Sequence, residues 1–269
     1  MRIQTIKTRV MRPPKDDLLA VMAEVLPPIK ERSVVVATSK VVAIHQGRCL
    51  PMVEGGIERD ALAFKEAELY APRDIVPGAH VLFTVKNNTL IASAGIDMSN
   101  GNNHMVLWPK EPIRAAREIR AYIKKRFGLR ELGVLITDSH VVMMRTGVVG
   151  VSIGHFGFNP VKPYMGKPDI FGRILQYERT NMADSLAAAA VLEMGEGMEQ
   201  TPLAIITEIK DIEFSEDETI NAGTPPFKIP PQDDLFEPML SAIPWRKGQG
   251  GLTDEEFAKL KEGANKKVS

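Results

Sequence analysis

At 269 residues the chain can bury the core of one large domain or of two intimate ones. Its 34 Lys and Arg balance its 34 Asp and Glu, so no global field marks a nucleic-acid or membrane-surface binder, and an anionic ligand must be held by a local site. A single cysteine, Cys49, excludes an internal disulfide; the start MRIQTIKTRVMRPP lacks a signal-peptide core, and no apolar stretch reaches the roughly 20 residues of a membrane span, so a soluble, cytoplasmic protein is expected.

In chain order, DDLLAVMAEVL (16–26) is amphipathic and opens on two acids, which predicts a helix. SVVVATSKVVAI (33–44) is rich in valine and predicts a buried strand or strand pair. IERDALAFKEAELY (57–70) returns to helical spacing. HVLFTVKNNTLIAS (80–93) predicts a β-hairpin about Asn87-Asn88. EPIRAAREIRAYIKKRFG (111–128) is the clearest helix, with Ile113, Ala116, Ile119, Ile123 and Phe127 at spacings of three and four and Gly128 as its stop. ELGVLITDS (131–139) predicts a short buried strand ending on an acid. GVVGVSIGHFGF (147–158) predicts a strand whose glycines mark bends or close backbone approaches. NMADSLAAAAVLEMGEG (181–197) predicts a helix capped by Asn181 and closed by glycine.

From residue 222 the character changes. AGTPPFKIPPQDDLFEPMLSAIPWRKGQGG is crowded with proline and glycine and predicts an extended connector. TDEEFAKLKEG (253–263) carries a capping box, Thr253 with Glu256, and predicts a last helix. The expected organisation is a catalytic body over 1–221 and an extension over 222–269. Phe227, Leu235, Phe236, Met239, Leu240 and Trp245 make the extension too apolar for a free linker, so it is expected to pack on the body or across a dimer interface.

Several signatures fail on physical grounds. DMSNGNN begins like a calcium loop, but its sixth position is Asn102 and its twelfth is Trp108 rather than a bidentate Glu. GVSIG (150–154) matches a nucleophile elbow by letter, yet HFGFNPVKPYMGKP follows where a helix is required. No P-loop or Rossmann fingerprint is present. Histidines 45, 80, 104, 140 and 155 lack zinc spacing. What remains is a pair of acids at expected strand ends, Asp97 after LIASAGI and Asp138 after LGVLIT. With Ser139 and the amides of Asn100, Asn102 and Asn103 they offer the oxygen donors a hard cation such as magnesium or manganese takes. The alternative is a pair of turn-initiating Asp residues bonded to their own backbone.

The segments TSKVVAIHQGR (38–48), AGIDMSN (94–100), GVLITDS (133–139), RTGVVGVSIG (145–154), KPDIFGR (167–173) and ADSLAAAAVLEMGEG (183–197), in this order and spacing, resemble the γ-glutamyl ligase family that extends coenzyme F-420, a deazaflavin hydride carrier. The resemblance covers roughly residues 33 to 210. It implies a two-lobed α+β fold with a partly barrel-like antiparallel sheet and an intertwined homodimer. It also implies GTP as co-substrate, two Mg2+ or Mn2+ ions with K+ as a further candidate, and addition of L-glutamate to a carboxylate through an acyl phosphate. Carried over by motif, Asp97 and Asp138 match the metal carboxylates on which catalysis depends, Ser139 a hydroxyl on the second ion, and Gly195 a backbone carbonyl on that ion. Ser39 lies beside it, and Asn100 with Met194, Gly195, Glu196 and Gly197 matches the nucleotide contacts.

Four departures fall on the nucleotide and acceptor pockets. A lysine expected to contact nucleotide is Ile44, while Lys40 sits four residues earlier, about 13 Å away if the segment is a strand. RVMRPP (9–14) replaces a GLPL-like segment; HVVMM (140–144) replaces a Gly-Arg element, although Arg145 is kept; and Ser185 stands where an acid is expected. Three readings follow: the glutamate ligase itself, a paralogous ligase with another acceptor or nucleotide, and a non-catalytic metal- or nucleotide-binding homologue.

Overall fold

The computed structural model describes residues 1–76, 81–216 and 227–268. Its main sheet has five strands in the order β1 (Arg2–Ile6), β12 (Leu203–Thr207), β2 (Ser33–Thr38), β8 (Leu132–Val141) and β9 (Val148–Phe156). β2 and β8 run parallel and the other pairs antiparallel. Val34, Val35, Val36 and Ala37 are all fully buried, because both faces of β2 are covered, as an unbroken β-branched run requires. Side chains alternate between the faces. Val35, Ala37, Val134 and Ile136 join one core with helices α1 (Leu18–Val25), α2 (Ser39–His45) and α4 (Pro112–Phe127). Val34, Val36 and Leu135 join a second with α5 (Met182–Met194), which packs through Ala183, Ala187 and Ala190. That closeness needs Gly150, where a Cβ would lie 2.4 Å from the Ala187 carbonyl oxygen.

A third core lies under a four-stranded sheet of β4 (Leu69–Tyr70), β5 (Phe83–Lys86), β6 (Thr89–Ala92) and β13 (Arg246–Lys247), with helix α3 (Arg59–Glu66) and the pair β3 (Cys49–Pro51) and β7 (His104–Val106). The hairpin turn is as expected: Asn87 and Asn88 both have positive φ, 48° and 52°, the type I′ geometry that matches strand twist. A two-stranded pair, β10 (Val161–Pro163) with β11 (Arg179–Asn181), completes the sheets. The fold is thus mixed α+β. Among the described residues no sheet closes into a barrel, which corrects the barrel-like expectation: helices cover both faces of the largest sheet, so it has no interior to curl around. No helix among them is long and apolar enough to cross a membrane.

Other expectations are revised at element boundaries. The strand from Ser33 ends at Thr38, and residues 39–45 are helical. Val41, Val42, Ala43 and Ile44 are all buried there, and a wholly buried apolar run has no period to separate helix from strand. The helix expected over 57–70 spans only Arg59–Glu66, and Leu69–Tyr70 pairs as a strand instead. In α4, Ile113 is exposed and the buried stripe runs through Ala115, Ala116, Ile119 and Ile123. Gly128 closes that helix at φ 68°.

The 221/222 boundary lies outside the described residues. Beyond it, a short helix, α6 (Glu237–Ser241), forms in the aperiodic stretch. The following segment lies against α3 and β4, with Gly248 N–H on the Glu68 carbonyl and Gly250 N–H on that of Ala67. Leu252 is buried, and Phe257 and Leu260 of α7 (Asp254–Val268) pack on the third core. Its capping box forms both ways: Glu256 N–H donates to Thr253 Oγ1 at 3.2 Å, and Thr253 N–H to Glu256 Oε2 at 2.9 Å.

Candidate active site

The parallel pairing of β2 and β8 builds the centre of the site. Thr38 is level with Thr137, so the first residue of α2 and the next residue of β8 emerge side by side. Ser39 Oγ donates to Asp138 Oδ1 at 3.2 Å. Asp138 lies within β8, opposite Val151, rather than at a strand end; it caps no turn, which removes the turn reading for this residue. Asp97 arrives from the other side, after the 3-10 turn Ser93–Gly95, in an isolated bridge with Val106. One of its oxygens does cap its own loop, accepting from Ser99 N–H at 2.7 Å, while Oδ2 is 2.8 Å from Lys40 Nζ.

The carboxyl end of α5 supplies the third wall. Asn100 Nδ2 donates to the Gly197 carbonyl at 2.9 Å, and Ser139 Oγ to Glu196 Oε1 at 2.6 Å. A cleft of about 460 Å³ results, and Ser39, Asp97, Asn100, Asp138, Ser139, Met194, Gly195, Glu196 and Gly197 all line it. Arg9, Val10 and Met11 of the divergent amino-terminal segment and Ile44 also line it. Ser185 instead donates to the Asn181 carbonyl within α5, and Arg145 donates to the Met144 carbonyl in the β8–β9 turn.

The two acids differ electrically. Burial raises the Asp97 carboxyl, but Lys40 and the Ser99 N–H outweigh it and hold it below the usual range. Burial pushes Asp138 up to about 6, against hydrogen bonds from Trp108, the Ser139 backbone and Ser39, and the nearby charge of Asp97 adds to the rise. Among the described residues Asp138 thus has neutral donors and no cation. The donor set of two carboxylates, hydroxyls and backbone carbonyls suits a hard divalent ion that keeps positions for water and phosphate. Among the described residues no three His, Cys, Asp or Glu side chains gather as a closed metal cage, so such an ion would take the rest of its ligands from solvent or substrate.

Two residues gain importance from the structure. Lys40 and Ile44 are on a helix, not a strand, so they stand about 6 Å apart along its axis, one turn, rather than about 13 Å. Lys40 therefore brings an ammonium into the cleft near the position where the expected lysine is missing. Trp108, whose side chain is buried, donates its indole N–H to Asp138 Oδ2. In the sequence it figured only as the residue that spoils a calcium loop; no local pattern links it to a carboxylate 30 residues later.

A mixed α+β fold with one cleft lined by acids, amides and glycines at the ends of its main sheet describes a candidate enzyme site for a small polar ligand. The family comparison gives the particular assignment. The F420-0:gamma-glutamyl ligase family model matches residues 5–208, and the chain belongs to that family. It is 31% identical over 203 residues to the coenzyme F420:L-glutamate ligase of Methanosarcina mazei, covering 71% of this chain and 79% of that one. With the same-named protein of Methanopyrus kandleri it shares 31% identity over 225 residues, 78% of this chain and 88% of the relative. With that of Methanothermobacter thermautotrophicus it shares 35% over 144 residues, 52% and 57% respectively.

Proposed function

We propose that the protein is a nucleotide- and metal-dependent ligase that joins L-glutamate to a carboxylate acceptor of the coenzyme F-420 type. The observation that carries the reading is the meeting in one cleft of Asp97, Asp138 and the Met194–Gly197 turn, from three distant parts of a chain that belongs to a glutamate-ligase family. In this reading Asp97 and Asp138 hold Mg2+ or Mn2+, with the Ser139 hydroxyl and the Gly195 carbonyl as further donors; K+ is an additional candidate ion. Bound ions would neutralise triphosphate charge as the terminal phosphoryl group of GTP is transferred. Asn100 and the 194–197 turn face the nucleotide, and Lys40 is placed to exchange its hold on Asp97 for a phosphate oxygen. The acceptor carboxylate attacks the γ-phosphorus, nucleoside diphosphate leaves, and the glutamate amine then displaces phosphate from the acyl carbon, losing a proton as the amide forms.

A homodimer in the cytoplasm completes the reading. Its support is an unusual set of exposed apolar side chains: Met144 is 95% exposed at the β8–β9 turn, and Ile170 and Phe171 are 92% and 90% exposed between β10 and β11. A second reading, a paralogous ligase with another acceptor or nucleotide, draws on the apolar Ile44 in the cleft wall and on the substituted 9–14 and 140–144 segments. One assay tests both. The protein is incubated with manganese or magnesium, GTP or ATP, L-glutamate and the unglutamylated deazaflavin, and the product is weighed by mass spectrometry. A gain of one glutamyl unit, lost in Asp138→Asn, is expected. Nucleotide hydrolysis without that gain would favour the second reading, and neither would overturn both.

A further inference from the structure

Asp138 is connected to the C-terminal segment by a short series of buried contacts. The Trp108 indole N–H takes one oxygen of Asp138 and Ser39 the other. Room for the ring is made at Gly95, where φ is +72° and a Cβ would fall 2.1 Å from the indole nitrogen. Gly95 is two residues before Asp97, so the backbone that delivers one carboxylate is shaped around the ring that holds the other.

Behind the ring lies a buried ion cluster. Arg48 Nε donates to the Trp108 carbonyl at 3.3 Å, and Lys86 Nζ stands 6.0 Å from the ring centroid. Both cations share Glu66: Arg48 Nη2 is 2.9 Å from each carboxylate oxygen, and Lys86 adds a third contact. The C-terminal segment closes the remaining side. Leu252 N–H donates to Glu66 Oε1 at 3.3 Å, and the Phe257 ring centroid is 4.9 Å from the Arg48 guanidinium carbon. Both residues lie beyond the matched family region, which ends at 208.

We propose that Trp108 is a positioning residue that fixes Asp138 in the cleft through its indole N–H, and that the segment Leu252–Phe257 holds Trp108 in place by sealing the Arg48–Glu66–Lys86 cluster. The inference rests on the reading of Asp138 as a metal ligand. An indole nitrogen can only donate, so it engages the oxygen lone pairs of the carboxylate and locks one rotamer. Hydrogen-bond partners of ligating carboxylates commonly matter for metal affinity almost as much as the ligands. The C-terminal segment thereby becomes a structural part of the active site although it lines none of the cleft.

Calorimetric titration of the full chain with manganese tests this. Replacing Trp108 by benzothienylalanine keeps the bicyclic shape and exchanges the N–H for a sulfur that cannot donate, so the core stays filled. The dissociation constant should rise about 10- to 100-fold. Phe257→Ala, remote from the cleft, should raise it about 2- to 30-fold. A purely structural role for either residue would lower the melting midpoint of the metal-free protein and leave the affinity of the folded protein unchanged. Wild-type affinity in the benzothienylalanine protein overturns the role of Trp108, and wild-type affinity in Phe257→Ala overturns that of the C-terminal segment. A wild type that binds no manganese overturns the metal site itself and this inference with it.

Discussion

Glu66 and Asp138 are two inward-facing acids on either side of Trp108, and they are treated in opposite ways. Glu66 is 1% exposed and has two cations of its own, Arg48 and Lys86. Burial alone would raise its pKa, but those cations hold it below the usual range. Among the described residues Asp138 receives only neutral donors, and burial raises it to about 6. The first acid belongs to a structural cluster in which two cations of the protein itself meet its charge. The second lines the cleft with neutral hydrogen-bond donors alone among the described residues, an arrangement that suits the proposed uptake of a cation from solution. Asp97 has one cation of its own, Lys40.

The largest effect is expected at Glu66. Glu66→Gln leaves Arg48 and Lys86 buried without the carboxylate they share, and the expected loss is about 3–5 kcal/mol in urea unfolding. A loss below about 1 kcal/mol would mean that the cluster is not the closed electrostatic unit described here.

A third buried titratable group, His155, has neither kind of help. Its Nε2 has no hydrogen-bond partner among the described residues, it packs on Phe158 and Phe227, and burial with the charge of Lys228 pushes its pKa down to about 4. The unfolded imidazole titrates near 6.5. Between those values the unfolded chain binds a proton that the folded chain refuses, so this contribution is fully present above pH 6.5 and lost as the pH falls toward 4. The expected slope amounts to about 3 kcal/mol over that window. It should flatten in His155→Gln, as read by urea unfolding at pH 7.5 and 4.5; an equal slope in both proteins would assign the acid sensitivity elsewhere.

A smaller effect is expected at Ile44. With Lys40 one helical turn away and both residues lining the cleft, Ile44→Lys should tighten a non-hydrolysable nucleotide by about 1–2 kcal/mol. Calorimetry showing unchanged or weaker binding would mean that Lys40 already supplies the needed charge.

Much of this was legible in the sequence where the signal was local. The Asn87-Asn88 turn, the Gly128 stop and the Asn181 cap each follow from the backbone geometry those residues favour. Asp97, Asp138 and the 194–197 turn line one cleft, and in the sequence motif resemblance, not spacing, singles them out together. What stayed hidden is non-local or periodless. The change from strand to helix at Ser39 sits inside a wholly buried apolar run, and that single boundary decides whether Lys40 is near the cleft. Trp108, Arg48, Glu66 and Lys86 come together only in the folded chain, so nothing in their spacing announces them.

The central claim is that Asp138 is left without an internal cation so that it can take a divalent one. Melting curves with and without manganese, for wild type and Asp138→Asn, test it most directly. Metal-free Asp138→Asn should melt at or slightly above the wild type, because a desolvated charge near Asp97 is removed. Manganese should raise the midpoint of the wild type alone, through binding to the folded state. A manganese-induced rise of the same size in Asp138→Asn would contradict it.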